Sequence, residues 1–214
     1  MRALLFALVF SFMVFCPFTQ QSLADVDVGL SIGDEGLKSF YLAIGDYYQV
    51  PEKQIIIVRR QKIPEEEMPV VFFIAKKAHV SPQVIINMRL GGKSWWEISA
   101  HYGLRADVFY VPLKNDPGPP YGKAYGHFKH QKKNEWNKIV LSDADIINFV
   151  NLRFVSEYWD YSPEEVVKMR GKGENFVIIS SEVKHAKGNT KKANYASEEN
   201  PGQSSKGKSG NKKK

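Results

Sequence analysis

The chain has 214 residues, of which 43% are hydrophobic and 25% charged, and its net charge is +7. Most of this charge lies near one end, because residues 187–214 contain eight lysines and two glutamates, whereas residues 25–186 have no net charge. This distribution argues against a uniformly basic nucleic-acid-binding face. The single cysteine, Cys16, excludes an intramolecular disulfide framework and a zinc site built from cysteines.

Residues 1–24 have the composition of an export signal. Arg2 supplies a positive charge, residues 3–16 form an apolar run, and Ser22 and Ala24 are the small residues of a cleavage site. The apolar run is shorter than the ~20 residues that span a bilayer, which favours a cleaved signal over a transmembrane anchor. We therefore predict cleavage after Ala24 and a periplasmic or secreted protein.

Cys16 offers a competing interpretation, because acylation of a cysteine anchors a protein to the membrane. The residue before it, Phe15, is bulky at a position where lipoprotein signals carry glycine or alanine. The sequence therefore favours the cleaved signal.

Three segments carry apolar residues at helical spacing, and they predict helices over 35–48, 65–78 and 143–159. The predicted fold class is therefore all-α. The alternative is an α+β fold with short strands at 55–58 and 176–179, because these runs are rich in β-branched or aromatic residues.

A repeated pattern follows these segments. Residues 80–89 align without gaps on 161–170 at an offset of 81, and both contain Ser-Pro, two aliphatic residues and Met-Arg. Residues 50–59 align more weakly on 80–89 at an offset of 30. A serine followed by a proline is typical of a helix start, and the glycines at 91–92 and 171–173 predict where two of the short helices end.

This pattern divides the chain into parts. Residues 25–112 hold the first two helical units, and 139–186 hold the third. Between them, residues 113–138 are rich in proline, glycine and lysine and predict a long loop. Residues 187–214 have almost no apolar content and predict a disordered basic tail.

Residues 121–130 of this loop interleave aromatic residues, glycines, lysines and histidines, which suits stacking on bases or sugars and holding phosphates. The alternative is a solvated loop whose aromatic residues pack onto the helices. Outside the loop, a tryptophan next to the predicted core residue Trp95 is a candidate for an aromatic contact with a partner. The candidate binding residues are Trp96, Tyr121, Tyr125, His127, Phe128 and His130.

His127 and His130 would need a third ligand to hold a metal, and no cluster with ligand spacing accompanies them, so neither a metal nor a cofactor is predicted. The chain contains no motif of the common hydrolases, phosphate-binding loops or metalloproteases, so no catalytic residue is predicted. Arg59, Arg89 and Arg170 share one position of the aligned segments. A repeated arginine there either forms an ion pair or holds a helix C-terminus, or else it contacts a ligand.

Two resemblances rest on one pattern, which consists of Pro82, Ile85, Ile86, Met88 and Arg89 followed by Gly92, Trp95 and Ile98. It resembles the helix-turn-helix of transcription factors, which implies DNA binding, although residues 105–112 do not have the pattern of a recognition helix. Together with residues 120–126, it also resembles a group of exported bacterial all-helical proteins. That resemblance implies an architecture and export but no activity, because the group has none assigned.

These observations favour a non-enzymatic helical module that binds another macromolecule, either a protein or an anionic polymer of the cell envelope. The alternative is a nucleic-acid-binding protein similar to helix-turn-helix modules, which the predicted export disfavours. A hydrolase or metal-dependent enzyme that uses His127 and His130 is a third hypothesis.

Overall fold

The described part of the chain is built from helices. A computed structural model describes the backbone of residues 35–198 and the side chains of residues 35–188. The predicted export signal, its cleavage site and Cys16 lie outside the described residues. Within residues 35–198 there are nine α-helices: α1 (Glu35–Tyr48), α2 (Glu52–Arg60), α3 (Met68–Ala78), α4 (Pro82–Leu90), α5 (Trp95–His101), α6 (Gly122–His130), α7 (Asp143–Trp159), α8 (Pro163–Gly171) and α9 (Phe176–Glu198). Three 3₁₀ helices accompany them, at Glu65–Glu67, Ala106–Val108 and Lys133–Lys138.

The all-α fold class is confirmed, because residues 35–198 contain no β-strand. The α+β alternative is wrong for both of its predicted strands, since 55–58 lie inside α2 and 176–179 begin α9. In α2, Ile55 and Val58 are buried and lie three residues apart, so the helical period outweighs the β-propensity of the run. None of the helices in this part of the chain combines the length and the apolar character needed to cross a membrane.

The three helices predicted from apolar spacing are present, and the last helix extends beyond the predicted start of the tail. α1 and α7 have the predicted bounds, and the segment 65–78 divides into a 3₁₀ turn and α3. α9 continues to Glu198, although composition predicts a disordered tail from residue 187. Lysine and alanine, both good helix formers, recur in the added stretch, and extending a helix is far easier than nucleating one. Residues 199–214 lie outside the described residues.

Capping residues explain where several helices start. Ser94 and Ser142 each form a capping box, in which the serine accepts from the backbone three positions on and the acidic residue there accepts from the serine amide. Pro82 and Pro163 begin α4 and α8, where a missing N–H leaves no hydrogen bond unmade. These starts confirm the helix signals in the sequence.

The three aligned segments of the sequence have similar backbone conformations. α2, α4 and α8 each have 9 residues. Three residues before each helix, the chain adopts a left-handed conformation, with φ values of 58°, 55° and 48° at Gln49, His79 and Asp160. The chain therefore leaves α1, α3 and α7 through the same kind of turn. That the three segments are copies of one unit stays a prediction.

Arg89, in α4, is held by carboxylates from two other parts of the chain. Its Nε and Nη2 donate to the two oxygens of Glu67 at 3.0 and 3.1 Å, and its Nη1 donates to Asp143 at 2.6 Å. The guanidinium also lies 4.7 Å from the ring centre of Trp95. Burial alone would lower the pKa of Arg89, but the hydrogen bonds to Glu67 and Asp143 raise it. Asp143 also accepts from the Trp95 amide at 2.7 Å, so one carboxylate joins the starts of α5 and α7.

Arg170, in α8, makes a corresponding set of contacts. Its Nε donates to Asn148 at 3.1 Å and its Nη1 donates to Glu66 at 3.2 Å. Its guanidinium lies 4.8 Å from the ring centre of Phe176. Glu66 accepts from the Phe176 amide at 2.7 Å, just as Asp143 does from the Trp95 amide.

The repeated arginine is therefore structural at two of its three positions. Arg89 and Arg170 are only 21% and 20% exposed, and carboxylates of the same chain engage both guanidinium groups. This confirms the ion-pair interpretation for them. Arg59 also lies near an aromatic ring, 5.6 Å from the ring centre of Tyr41, but it differs from the other two because it has no ion pair among the described residues.

α7 is the central helix of the fold. It packs on α1, α3, α5, α8 and α9, and its buried residues include Phe149 and Phe154. Trp95 of α5 is 0% exposed, which confirms its predicted place in the core. A helix covered on several sides needs apolar residues around most of its circumference, and α7 has them.

Buried phenols should make the folded state sensitive to alkaline pH. Burial raises the pKa of seven described tyrosines, and for Tyr158 burial and a hydrogen bond to Asp46 raise it to about 12; the seven are Tyr41, Tyr47, Tyr48, Tyr121, Tyr125, Tyr158 and Tyr161. Because folding favours the neutral phenol, this stabilisation is complete below the unfolded pKa of ~10 and is lost as pH rises through the folded pKa values. We expect phenolate absorbance to rise together with the loss of helical circular dichroism above pH ~10. Full ionisation near that pH with the helical signal intact would contradict this expectation.

Candidate functional site

The predicted loop over 113–138 contains a helix, so the loop prediction is wrong for the centre of this segment. Gly122–His130 form α6, and Lys133–Lys138 form a 3₁₀ helix. The buried side chains here lie three and four residues apart, on one helical face: Tyr121, Ala124, Tyr125 and Phe128. Burying a large apolar side chain contributes about 1.5–3 kcal/mol, which exceeds the roughly 1 kcal/mol that each glycine costs within a helix.

Three of the candidate binding residues belong to the core. Tyr121, Tyr125 and Phe128 are 1%, 7% and 3% exposed, and their ring centres lie 6.4, 5.2 and 5.8 Å from that of Phe149 in α7. Burial raises the pKa of both tyrosines. The expectation that these rings offer an exposed stacking surface is wrong. Their rings pack onto the helices, as in the alternative interpretation, but they do so from a helix.

The opposite face of α6 is exposed and basic. Lys123, His127 and His130 are exposed and recur at spacings of four and three, so they form one stripe along the helix. Lys132 and Lys133, which are also exposed, follow directly after the end of α6. These five residues are called the α6 basic surface below.

Nearby acidic residues do not neutralise this surface. Two neighbouring lysines are paired, Lys129 with Asp116 and Lys138 with Glu135. The three lysines of the α6 basic surface have no ion pair among the described residues. Their positive potential therefore extends into solvent, over a screening length of ~8 Å at physiological ionic strength.

Trp136 supports the site and belongs to no motif that would predict it. Its Nε1 donates to the backbone carbonyls of Phe128 and Gln131 at 3.1 and 3.2 Å, so it caps the end of α6. Its ring centre lies 4.8 Å from that of Tyr110, and the Lys133 ammonium lies 6.0 Å from it. The only feature of the sequence that could have indicated its role is a large aromatic residue within a lysine-rich segment. Lys133 therefore lies beside an aromatic ring that is itself packed against Tyr110 and Phe128.

The remaining candidates stay on the surface. His127 and His130 are exposed, and the described residues contain no group of three or more His, Cys, Asp or Glu side chains that could hold a metal. Trp96 is half-buried on α5, which packs on α4 and α7. A partner contact at Trp96 stays a prediction.

The described residues contain no recognition helix after α5, although the helix-turn-helix resemblance implies one. After α5 the chain turns at Gly103, with φ of 70°, and continues into the 3₁₀ helix Ala106–Val108 instead of a recognition helix. A DNA-binding helix-turn-helix requires a helix that enters the major groove. Comparison with family models, with curated proteins and with solved structures finds no match to this chain.

Proposed function

We propose that this chain is a non-enzymatic module that binds an anionic polymer through the α6 basic surface. The observation that carries the proposal is that Lys123, which shares the exposed face of α6 with two histidines, and Lys132 and Lys133, which follow the helix, have no acidic partner in the described chain. The opposite face of the same helix is anchored by aromatic packing on Phe149. Lys123 therefore lies on a packed helix, and Lys133 lies in the 3₁₀ helix that follows it, rather than on a loop.

A polymer suits this surface better than a small anion. One exposed ion pair contributes only about 0–1 kcal/mol, so useful affinity requires several contacts at once. A partner with repeated anionic groups engages several lysines together and releases the counterions bound to it. The arrangement of separate, exposed charges favours such a partner.

Charge, rather than the identity of bases, is what this surface is able to recognise. The aromatic side chains that would stack on bases are buried, and the Trp136 indole nitrogen already donates to α6 carbonyls. Residues 105–112 supply no recognition helix. We therefore favour an anionic polysaccharide, which fits the predicted export to the cell envelope, over a nucleic acid.

The test is the salt dependence of binding to a sulfated polysaccharide, measured by titration calorimetry. Every protein in the series carries glutamine at Lys206, Lys208, Lys212, Lys213 and Lys214, so that the lysines beyond the described residues do not contribute. By analogy with nucleic acids, Lys132→Gln with Lys133→Gln should reduce the slope of log affinity against log salt by about 1.5–2.

The matched control removes the same charge from another surface. Lys53→Gln with Lys62→Gln, at exposed positions in and after α2, should leave the slope unchanged. Equal losses in both double variants would mean that only the overall charge matters and would refute the proposal. Tighter binding to single-stranded DNA of equal charge, carried by the same lysines, would favour the nucleic-acid alternative.

A further inference from the structure

A cavity of about 320 Å³, open to solvent, lies where α1, α2, α3 and α4 meet. This volume is at the small end of the range for ligand pockets, roughly 300–1,000 Å³. Most of its lining is apolar and consists of Tyr48, Val50, Phe72, Ala75, Val80 and Pro82. Because the cavity is open to solvent, it offers partial burial to an apolar group of modest size.

The polar part of the lining is cationic or neutral. Gln54, Lys76 and His79 complete the lining, all three are exposed, and no acidic residue belongs to it. Lys76 has no ion pair or hydrogen bond among the described residues. The buried hydroxyl of Tyr48, another lining residue, also has no hydrogen-bond partner there. An uncompensated ammonium beside an apolar cavity is complementary to an anion attached to an apolar group.

We propose that this cavity binds a carboxylate that carries an apolar body, such as a medium-chain acyl carboxylate or the carboxyl end of a peptide with an apolar last residue. The apolar part fills the space beside Tyr48, Phe72 and Ala75, and the carboxylate lies against Lys76. The proposal is independent of the α6 basic surface, because no residue of that surface lines the cavity.

The first test uses octanoate as the probe, with octanol as its uncharged counterpart, and follows backbone amide shifts of the full chain by NMR. Octanoate should shift the amides of α3 and the starts of α2 and α4, and octanol should bind at least about tenfold more weakly. Equal binding of both compounds, or shifts confined to other helices, would overturn the proposal.

Two neighbouring lysines supply the matched variants. Lys76→Glu should weaken octanoate binding about tenfold or more, because it replaces an attraction with a repulsion. Lys77→Glu makes the same change one residue away, at a lysine that does not line the cavity and lies 5.9 Å from the Phe73 ring centre, and it should have less than about a twofold effect. Equal effects of the two substitutions would overturn the proposal, and circular dichroism confirms that both variants fold.

A second arm identifies the source of the carboxylate. A hexapeptide that ends in leucine is compared with octanoate, and its amidated form serves as the control. Tighter binding of the free-acid peptide or of octanoate supports the proposal and names the source, whereas binding of neither overturns it. Val80→Trp, at a half-buried position of the wall, should abolish binding of the tighter probe by filling the cavity.

Discussion

Replacement of Trp95 by alanine is expected to lower the free energy of unfolding by about 3–5 kcal/mol, because it removes a fully buried indole and leaves a cavity. Trp95 is 0% exposed and is among the largest fully buried side chains of the described residues. The substitution also removes the hydrogen bond from its Nε1 to Glu67 at 3.1 Å and the ring beneath the Arg89 guanidinium. The effect should therefore exceed that of an apolar truncation alone.

Trp96 is the matched control for this prediction, since it is the adjacent residue of the same helix and is only half-buried. Trp96→Ala should cost less than about 1.5 kcal/mol. Urea unfolding followed by circular dichroism measures both values, and the Trp95 variant should also melt at least about 6 °C lower than the native chain. Similar losses for the two variants would contradict the assignment of Trp95 to the core.

The second large effect is expected at the Arg170–Glu66 pair. Arg170→Met should lower the free energy of unfolding by about 2–4 kcal/mol, because it leaves the Glu66 carboxylate without its cation. The range lies below that of a fully buried pair, since Arg170 and Glu66 keep 20% and 28% of their side-chain surface exposed. The Phe176 amide would still donate to Glu66 and would retain part of the interaction.

A double-mutant cycle isolates the pair itself. Arg170→Met combined with Glu66→Gln should show a coupling energy of about 1–3 kcal/mol in the same unfolding measurement. The exposed pair Lys129–Asp116, tested by Lys129→Met and Asp116→Asn, should show a coupling below about 1 kcal/mol. A coupling at Arg170 no larger than at this surface pair would mean that the repeated arginine does not hold the fold together.

Local signals in the sequence were sufficient for most helix boundaries. The capping serines Ser94 and Ser142 and the prolines Pro82 and Pro163 act on backbone groups within a few residues of themselves. Such effects can be recognised without knowledge of the tertiary structure. The all-α class followed from these signals and from apolar spacing.

The loop prediction was wrong for the residues of α6 because tertiary packing stabilises this helix. Its glycines and the prolines before it are typical of a loop, and the local composition favours that interpretation. The helix is stabilised by packing of Tyr125 and Phe128 on Phe149, a residue more than twenty positions further along the chain. The existence of that partner face could not be inferred from the segment itself.

The sequence predicted the positions of the two structural arginines but not the carboxylates that they contact. The alignment places Arg89 and Arg170 at one site of the repeated pattern, and that much is visible in the sequence. Their carboxylates come from distant elements, since Arg89 and Asp143 are 54 positions apart in the sequence and Arg170 and Glu66 are 104 positions apart. Only the packed helices bring these groups within hydrogen-bonding distance.

The most direct test of the proposed function is the map of amide shifts caused by a sulfated oligosaccharide in the full chain at physiological salt. We predict that the largest shifts fall on residues 122–133 and that they disappear when Lys123, Lys132 and Lys133 are replaced by glutamine. Shifts confined to residues 199–214, or shifts that persist in the triple variant, would contradict binding through the α6 basic surface.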